Sequence, residues 1–186
     1  MNRINRRELA APAAMFVIGL AAILGAWGFE LIGGYVPCKL CLEERLPYYF
    51  GLPVVLIALI AAAAGLRPGV SRTLLAVGGI IFIAGVYLGG YHAGAEWGFW
   101  PGPTDCGGGS ATPTSAGDLI NALKNIHVVN CTEAAFRFPP AAWGLSFAGW
   151  NAVVSLVLVV MALWGTLRAP AATAAPRTLV TEAGGR

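Results

Sequence analysis

The chain has 186 residues, 57% of them hydrophobic and only 11% charged, with 12 Lys and Arg against 9 Asp and Glu and a net charge of +3. A water-facing surface demands about 25% charged residues, so the composition excludes a soluble domain; the high apolar content excludes a disordered chain, and the small, dispersed positive charge excludes a nucleic-acid-binding surface. At about 20 residues per membrane helix, the length holds a handful of spans and no large soluble domain.

Four apolar stretches predict helices that cross a bilayer, at 13–32, 46–66, 73–95 and 145–167. The first contains one charge, Glu30, near its end, the second and fourth contain none, and the third contains only His92. Arg3, Arg6 and Arg7 before the first stretch give it the look of a signal peptide. Its apolar run exceeds the ~7 to 15 residues of such a segment, so a retained span is expected. Lys and Arg in short loops stay on the cytoplasmic side. Arg3, Arg6, Arg7, Arg67, Arg72, Arg168, Arg177 and Arg186 fall on one side, and Lys39, Arg45, Lys124 and Arg137 on the other, a ratio of eight to four. Both termini are therefore expected in the cytoplasm. Tyr35, Tyr48, Tyr49, Trp97, Phe99, Trp100, Phe138 and Trp143 crowd the opposite ends of the spans, as an interfacial aromatic belt does. The fold class expected is an all-α membrane protein, a four-helix bundle forming one domain over 1–167, with a disordered tail at 168–186.

Two segments face outward in this arrangement, 33–45 and 96–143, and they hold all four cysteines, Cys38, Cys41, Cys106 and Cys131. That is the side on which disulfides persist. Within the second segment a small-residue tract, GGGSATPTSAG, separates a Pro- and aromatic-rich stretch from 118–127. Ser115 with Asp118 resembles a capping box, and Leu119, Leu123 and Ile126 share a face. These predict a short amphipathic helix over 118–127, lying on the membrane surface or folded back on the loop.

Cys38-Lys39-Leu40-Cys41 is a C-x-x-C directly before the second span, with Pro37 ahead of it as at a helix start. A helix N-terminus stabilises the thiolate that attacks disulfides. Half of a zinc site has the same spacing, but a four-Cys zinc site has a second close pair, whereas Cys106 and Cys131 are 25 positions apart across a glycine-rich tract. The readings left are two permanent structural disulfides in a non-catalytic membrane subunit, or two pairs that exchange. Exchange has a physical logic: a pair on an outer loop reaches a soluble partner, and a pair at the membrane edge reaches a lipid-soluble electron carrier. The sequence carries no haem, flavin or iron–sulfur motif and no metal site is expected. A small apolar oxidant such as a quinone suits the second pair.

Arg45, one turn after Cys41, is placed to hydrogen-bond a quinone oxygen or stabilise the Cys41 thiolate; the plainer alternative is snorkelling, or pairing with Glu43 or Glu44. His92 is a candidate donor or proton shuttle, with packing as the alternative. Glu96, Glu30 and Asn151 carry a weaker signal. The pairs Gly85/Gly89 and Gly90/Gly94 predict close helix packing.

These residues, in PCKLCLEERLPYY, YHAGAEWGFWPGPTDC and the segment from Cys131 through Asn151, resemble the bacterial disulfide bond formation protein B (DsbB) family, from the first span to the fourth. The resemblance implies a quinone reductase of the bacterial inner membrane that reoxidises the periplasmic thiol oxidase DsbA, with ubiquinone or menaquinone as acceptor. It implies that Cys38 and Cys41 reduce the quinone, with Cys41 next to the ring, and that Cys106 and Cys131 form the pair attacked by DsbA, with Cys106 taking the mixed disulfide. Arg45 matches an arginine credited with quinone binding, and Glu44 and His92 lie near supporting positions. The family fold is a four-helix membrane bundle with a short horizontal helix in the second outer loop. Two departures stand out. Lys39 takes a place that is usually apolar, which should lower the thiol pKa values and make this pair more oxidising. The glycine-rich loop leaves room for a soluble partner other than DsbA. Enzymes of the vitamin K epoxide reductase type also set cysteine pairs near a four-helix bundle, but their C-x-x-C belongs in a later span.

Overall fold

The structure, a computed structural model, describes residues 6–103, 127–140 and 144–167. Five helices account for most of them: α1 (Arg6–Leu31), α2 (Lys39–Glu43), α3 (Leu46–Ala63), α4 (Pro68–Glu96) and α5 (Phe147–Leu167). Taking α2 with α3, the described residues include four helices long and apolar enough to cross a membrane, of 24, 25, 29 and 21 residues. Proline and glycine mark several of the boundaries. Proline lies in the first turn of α3 and of α4, where its missing N–H costs nothing. Gly34, Gly65 and Gly98 follow α1, α3 and α4 with φ of 69°, 67° and 75°, a left-handed turn that ends a helix and that side chains with a Cβ resist.

The long helices pack in a ring, α1 on α3, α3 on α4, α4 on α5 and α5 back on α1. Their shared core includes Met15, Val55, Phe82 and Leu158, all with no exposure. Outward faces are just as apolar: Ile57, Ile60, Ile80, Val160 and Leu163 are more than half exposed. A helix apolar on all sides belongs in lipid. With lipid outside, the helices gain little by hiding oil from water and adhere through close packing. The α4–α5 seam is built for that. A Cβ on Gly89 would come within 2.9 Å of the Ala152 nitrogen and the Ala148 oxygen, one on Gly85 within 2.6 Å of Ser155 Oγ, and one on Gly79 within 2.8 Å of the Ala162 methyl. Gly90 meets nothing within 4 Å, and Gly94 faces the Trp100 ring. Of the two predicted pairs, only Gly85/Gly89 serves helix packing.

Two short strand pairs close the cysteine-bearing end of the bundle. β1 (Tyr35–Val36) runs parallel to β2 (His127–Val128), Tyr35 opposite His127, and the Val129 nitrogen extends the pairing to the Val36 oxygen at 3.2 Å. β3 (Arg137–Phe138) pairs antiparallel with β4 (Leu145–Ser146). The expected helix at 118–127 lies outside the described residues except for His127, which is in β2 instead. The fourth span starts at Phe147 because Leu145 and Ser146 are claimed by that pairing. The first and third spans run past their predicted starts, to Arg6 and Pro68, because the helix continues beyond the apolar run. The expected tail at 168–186 lies outside the described residues.

Candidate functional site

Cys38 is the N-cap of α2, with extended backbone (φ −74°, ψ 172°), and its Sγ accepts the Cys41 N–H at 3.2 Å. Sulfur here does the work of the usual Ser or Asp cap. The thiol of Cys41 also hydrogen-bonds to Cys38, and that contact, against the opposing effect of burial and with help from His92, pulls Cys38 down to about 5 from an ordinary 9.0. Cys38 therefore carries the negative charge of the pair at neutral pH.

Behind Cys38 runs a chain of polar groups drawn from four elements. His92, on α4, sets Nε2 3.9 Å from Cys38 Sγ and Nδ1 2.6 Å from Oε1 of Glu44, the C-cap of α2. Asn151, on α5, donates to Glu44 Oε2 at 2.9 Å and accepts from the Tyr48 hydroxyl at 2.7 Å, which lies 3.4 Å from Ser155 Oγ. Glu44, His92 and Ser155 are buried, so each polar atom needs these partners. Tyr48, expected at the interfacial belt, is instead in the core, its ring edge-on to Phe82 at 5.6 Å. Glu96 completes the cluster: its Oε1 is 3.9 Å from His92 Nε2, and its Oε2 is buried with no hydrogen-bond partner among the described residues.

Arg45 pairs with Glu30 of α1, not with Glu43 or Glu44. Glu44 is engaged with His92 and Asn151, so the guanidinium turns across the bundle to the carboxylate near the end of the first span. Both residues line a cavity of about 280 Å³ enclosed by α1, α5 and the start of α3. Its walls are mainly apolar, with Phe29 packed edge-on against Phe147 at 4.3 Å. Cys41, Arg45, Glu44 and His92 bring their polar groups to it; Cys38 does not reach it.

On the far side of Cys38 lies Cys131. The two are fully buried in one small apolar cluster with Leu40. Cys131 is disulfide-bonded, whereas Cys38 and Cys41 are free thiols. The Cys38 and Cys131 sulfurs and a ring nitrogen of His92 all lie within 4.8 Å of one another. The β1–β2 pairing creates this contact, since Val36 precedes Cys38 by two residues and Val128 precedes Cys131 by three. Cys106 lies outside the described residues.

Cys38, Cys131 and His92 thus gather around one point, and Cys41, Glu44, Arg45 and His92 line the cavity beside it. Sequence reasoning undervalued Glu30, Glu96 and Asn151 and misread Tyr48. The usable signal was their polarity inside apolar spans, where an ionisable or hydrogen-bonding group is expensive and is by default functional.

No solved structure matches this chain. Among curated proteins, disulfide bond formation protein B 1 of Pseudomonas fluorescens is 30% identical over 87% of this chain and 91% of its own length. Disulfide bond formation protein B of Saccharophagus degradans is 31% identical over 78% of this chain and 85% of its own. An uncharacterised protein of Rickettsia prowazekii is 26% identical over 78% and 80%. A family model described as disulfide bond formation protein DsbB matches residues 7–165. With the C-x-x-C set against a second, disulfide-bonded cysteine at one end of four membrane helices, the chain belongs to the DsbB family of membrane proteins of disulfide bond formation.

Proposed function

We propose that the protein is a dithiol:quinone oxidoreductase of the bacterial inner membrane, which reoxidises a DsbA-like thiol oxidase on the periplasmic side and passes the electron pair to ubiquinone or menaquinone. The observation that carries this reading is the position of the C-x-x-C between two different neighbours. Cys38 is buried against the disulfide-bonded Cys131, and Cys41 opens on the apolar cavity.

The donor's thiolate attacks Cys106 of a Cys106–Cys131 disulfide and releases the Cys131 thiolate; the donor's second thiol then resolves the mixed disulfide and leaves oxidised. Cys131 attacks Cys38 of the oxidised C-x-x-C, Cys106 resolves that bond, and the Cys38 and Cys41 thiols are left reduced, the state described here. Re-forming the Cys38–Cys41 bond then gives up two electrons and two protons. Cys41 supplies one proton from its thiol. The other, already lost by Cys38, is held at His92 Nε2, with Glu44 fixing Nδ1 and Asn151 fixing Glu44.

A quinone fits the cavity on chemical grounds. The walls are mainly apolar, the volume suits a single ring with its tail outside, and Arg45 and His92 among the lining residues would supply donors for ring oxygens. When bound, the quinone takes up the two electrons and two protons. Arg45 would leave Glu30 to donate to an oxygen that gains negative charge. The test is to mix purified protein with reduced DsbA and a ubiquinone or menaquinone analogue and follow quinone absorbance. Absorbance should fall with the wild type and not with Cys106→Ser. No fall with either quinone would overturn the proposal and return the cysteines to structural staples.

A further inference from the structure

We infer that the fully reduced protein holds a thiophilic divalent cation of the Zn2+ type between Cys38, His92 and Cys131, a site that exists only while the Cys131 disulfide is open. Three observations converge on it. The three donor atoms lie within 4.8 Å of one another and all three residues are buried. A tetrahedral zinc site with bonds of about 2.0 to 2.3 Å sets its donors about 3.5 Å apart. Cys38 Sγ and His92 Nε2 are already at 3.9 Å, and breaking the disulfide frees Cys131 to close the remaining gap.

The second observation is the shell behind the ligands. A metal-bound histidine gives its other ring nitrogen to a carboxylate, which fixes the tautomer and turns the lone pair toward the ion. His92 has this arrangement, Nδ1 on Glu44 at 2.6 Å and Glu44 held in turn by Asn151. The third is Glu96. Its side chain is 4% exposed, one oxygen is 3.9 Å from the same His92 nitrogen, and the other has no hydrogen-bond partner among the described residues. A buried, unsatisfied carboxylate oxygen is costly, and a cation at this point offsets it.

Sequence spacing hides such a site, because Cys38 and Cys131 meet only through the β1–β2 pairing. Binding involves no electron transfer. Two thiolates and one neutral imidazole bind the ion, and two protons go to solvent, one from the Cys131 thiol and one from His92 Nε2. The disulfide must first be opened by a reductant, a phosphine in the test below. With the ion in place neither Cys38 nor Cys131 is free to exchange, so the site acts as a lock on the reduced protein.

Neither quinone nor protein donor enters this test, so its failure is separable from failure of the electron route. Purified protein is reduced with a phosphine, freed of metal by chelator, and titrated with Co2+ and then Zn2+. Tetrahedral visible bands and thiolate-to-cobalt charge transfer should appear at about one ion per chain and vanish as Zn2+ displaces Co2+. The oxidised wild type should show neither. Cys131→Ser and Cys38→Ser should lose the thiolate signal, Cys106→Ser should keep it, and Glu44→Gln should weaken binding by about 10- to 100-fold. Equal spectra from oxidised and reduced wild type, or a Cys131→Ser variant that binds like wild type, would overturn the inference, as would no bands at all.

Discussion

Replacing Gly89 by alanine tests whether the α4–α5 seam sets the geometry of the polar chain. The added methyl would lie 2.8 Å from the Ala152 nitrogen, 2.9 Å from the Ala148 oxygen and 3.1 Å from the Ala152 Cα. These are backbone atoms that cannot rotate aside. Restoring ordinary contact of about 3.4 Å or more requires α5 to move away from α4 by roughly half an ångström, and overpacking of this kind costs about 1–3 kcal/mol. Alanine also favours a helix over glycine by up to about 1 kcal/mol, so a lone measurement would mix two effects. Gly90→Ala supplies the correction: the neighbouring site gains the same helix preference, and its methyl meets nothing within 4 Å. The difference between the two variants isolates the clash. At about 2–4 °C per kcal/mol for a chain of this size, Gly89→Ala should melt several degrees below Gly90→Ala in detergent. Because Asn151 rides on α5 and Glu44 does not, the variant should also lose thiol-dependent quinone reduction while Gly90→Ala retains it. A Gly89→Ala protein at least as stable and active as Gly90→Ala would refute the reasoning.

Two further predictions concern charge. With Cys106 and Cys131 replaced by serine, the C-x-x-C reduced and a chelator present, the ultraviolet absorbance of the Cys38 thiolate should develop around pH 5. The sign follows from a native value below the unfolded 9.0: the thiolate stabilises the fold fully above 9.0, and that contribution is lost as pH falls through about 5. His92→Gln removes one of the two groups that lower Cys38 and should move the midpoint upward, the Cys41 hydrogen bond keeping it short of 9.0; a wild-type midpoint near 9 would refute the assignment. Arg45→Ala removes a charge-assisted hydrogen bond worth about 1.5–3 kcal/mol and should raise the apparent quinone KM roughly tenfold to a hundredfold, with the KM for the protein donor unchanged. Unaltered quinone kinetics would return Arg45 to its pairing with Glu30.

The spans were legible because lipid imposes a single rule on composition, and the C-x-x-C because two sulfurs three positions apart have few other uses. Arg45 was legible as a cation at the right edge, but its partner was not. Glu43 and Glu44 are adjacent in sequence, yet Glu44 is taken by His92 and Asn151, and the free carboxylate comes from a helix 15 residues earlier. Asn151 carried only a weak signal and Tyr48 read as a belt residue because the bond between them spans 103 positions. No periodicity announces a contact made by packing. The same holds for Cys38 and Cys131, brought together by a pairing of two residues on each strand.

The Trp100 ring lies over Gly94, where any side chain would collide with it, and its indole nitrogen donates to the Tyr91 oxygen at 2.9 Å. Tyr91 stacks against that ring and backs the cluster that holds Cys38 and Cys131. Glycine at position 94 thus lets an aromatic plate settle behind Tyr91, which itself packs against the cluster where the two sulfurs meet. The plate works as insulation. Small thiols and stray disulfides in solution find neither sulfur exposed, which on the proposed route keeps electrons from short-circuiting into the bulk redox pool. On the proposed route they come in through the other half of the Cys131 disulfide and leave through Cys41. Fidelity of this kind comes from a missing side chain and one well-seated ring, with no gate that has to open or close.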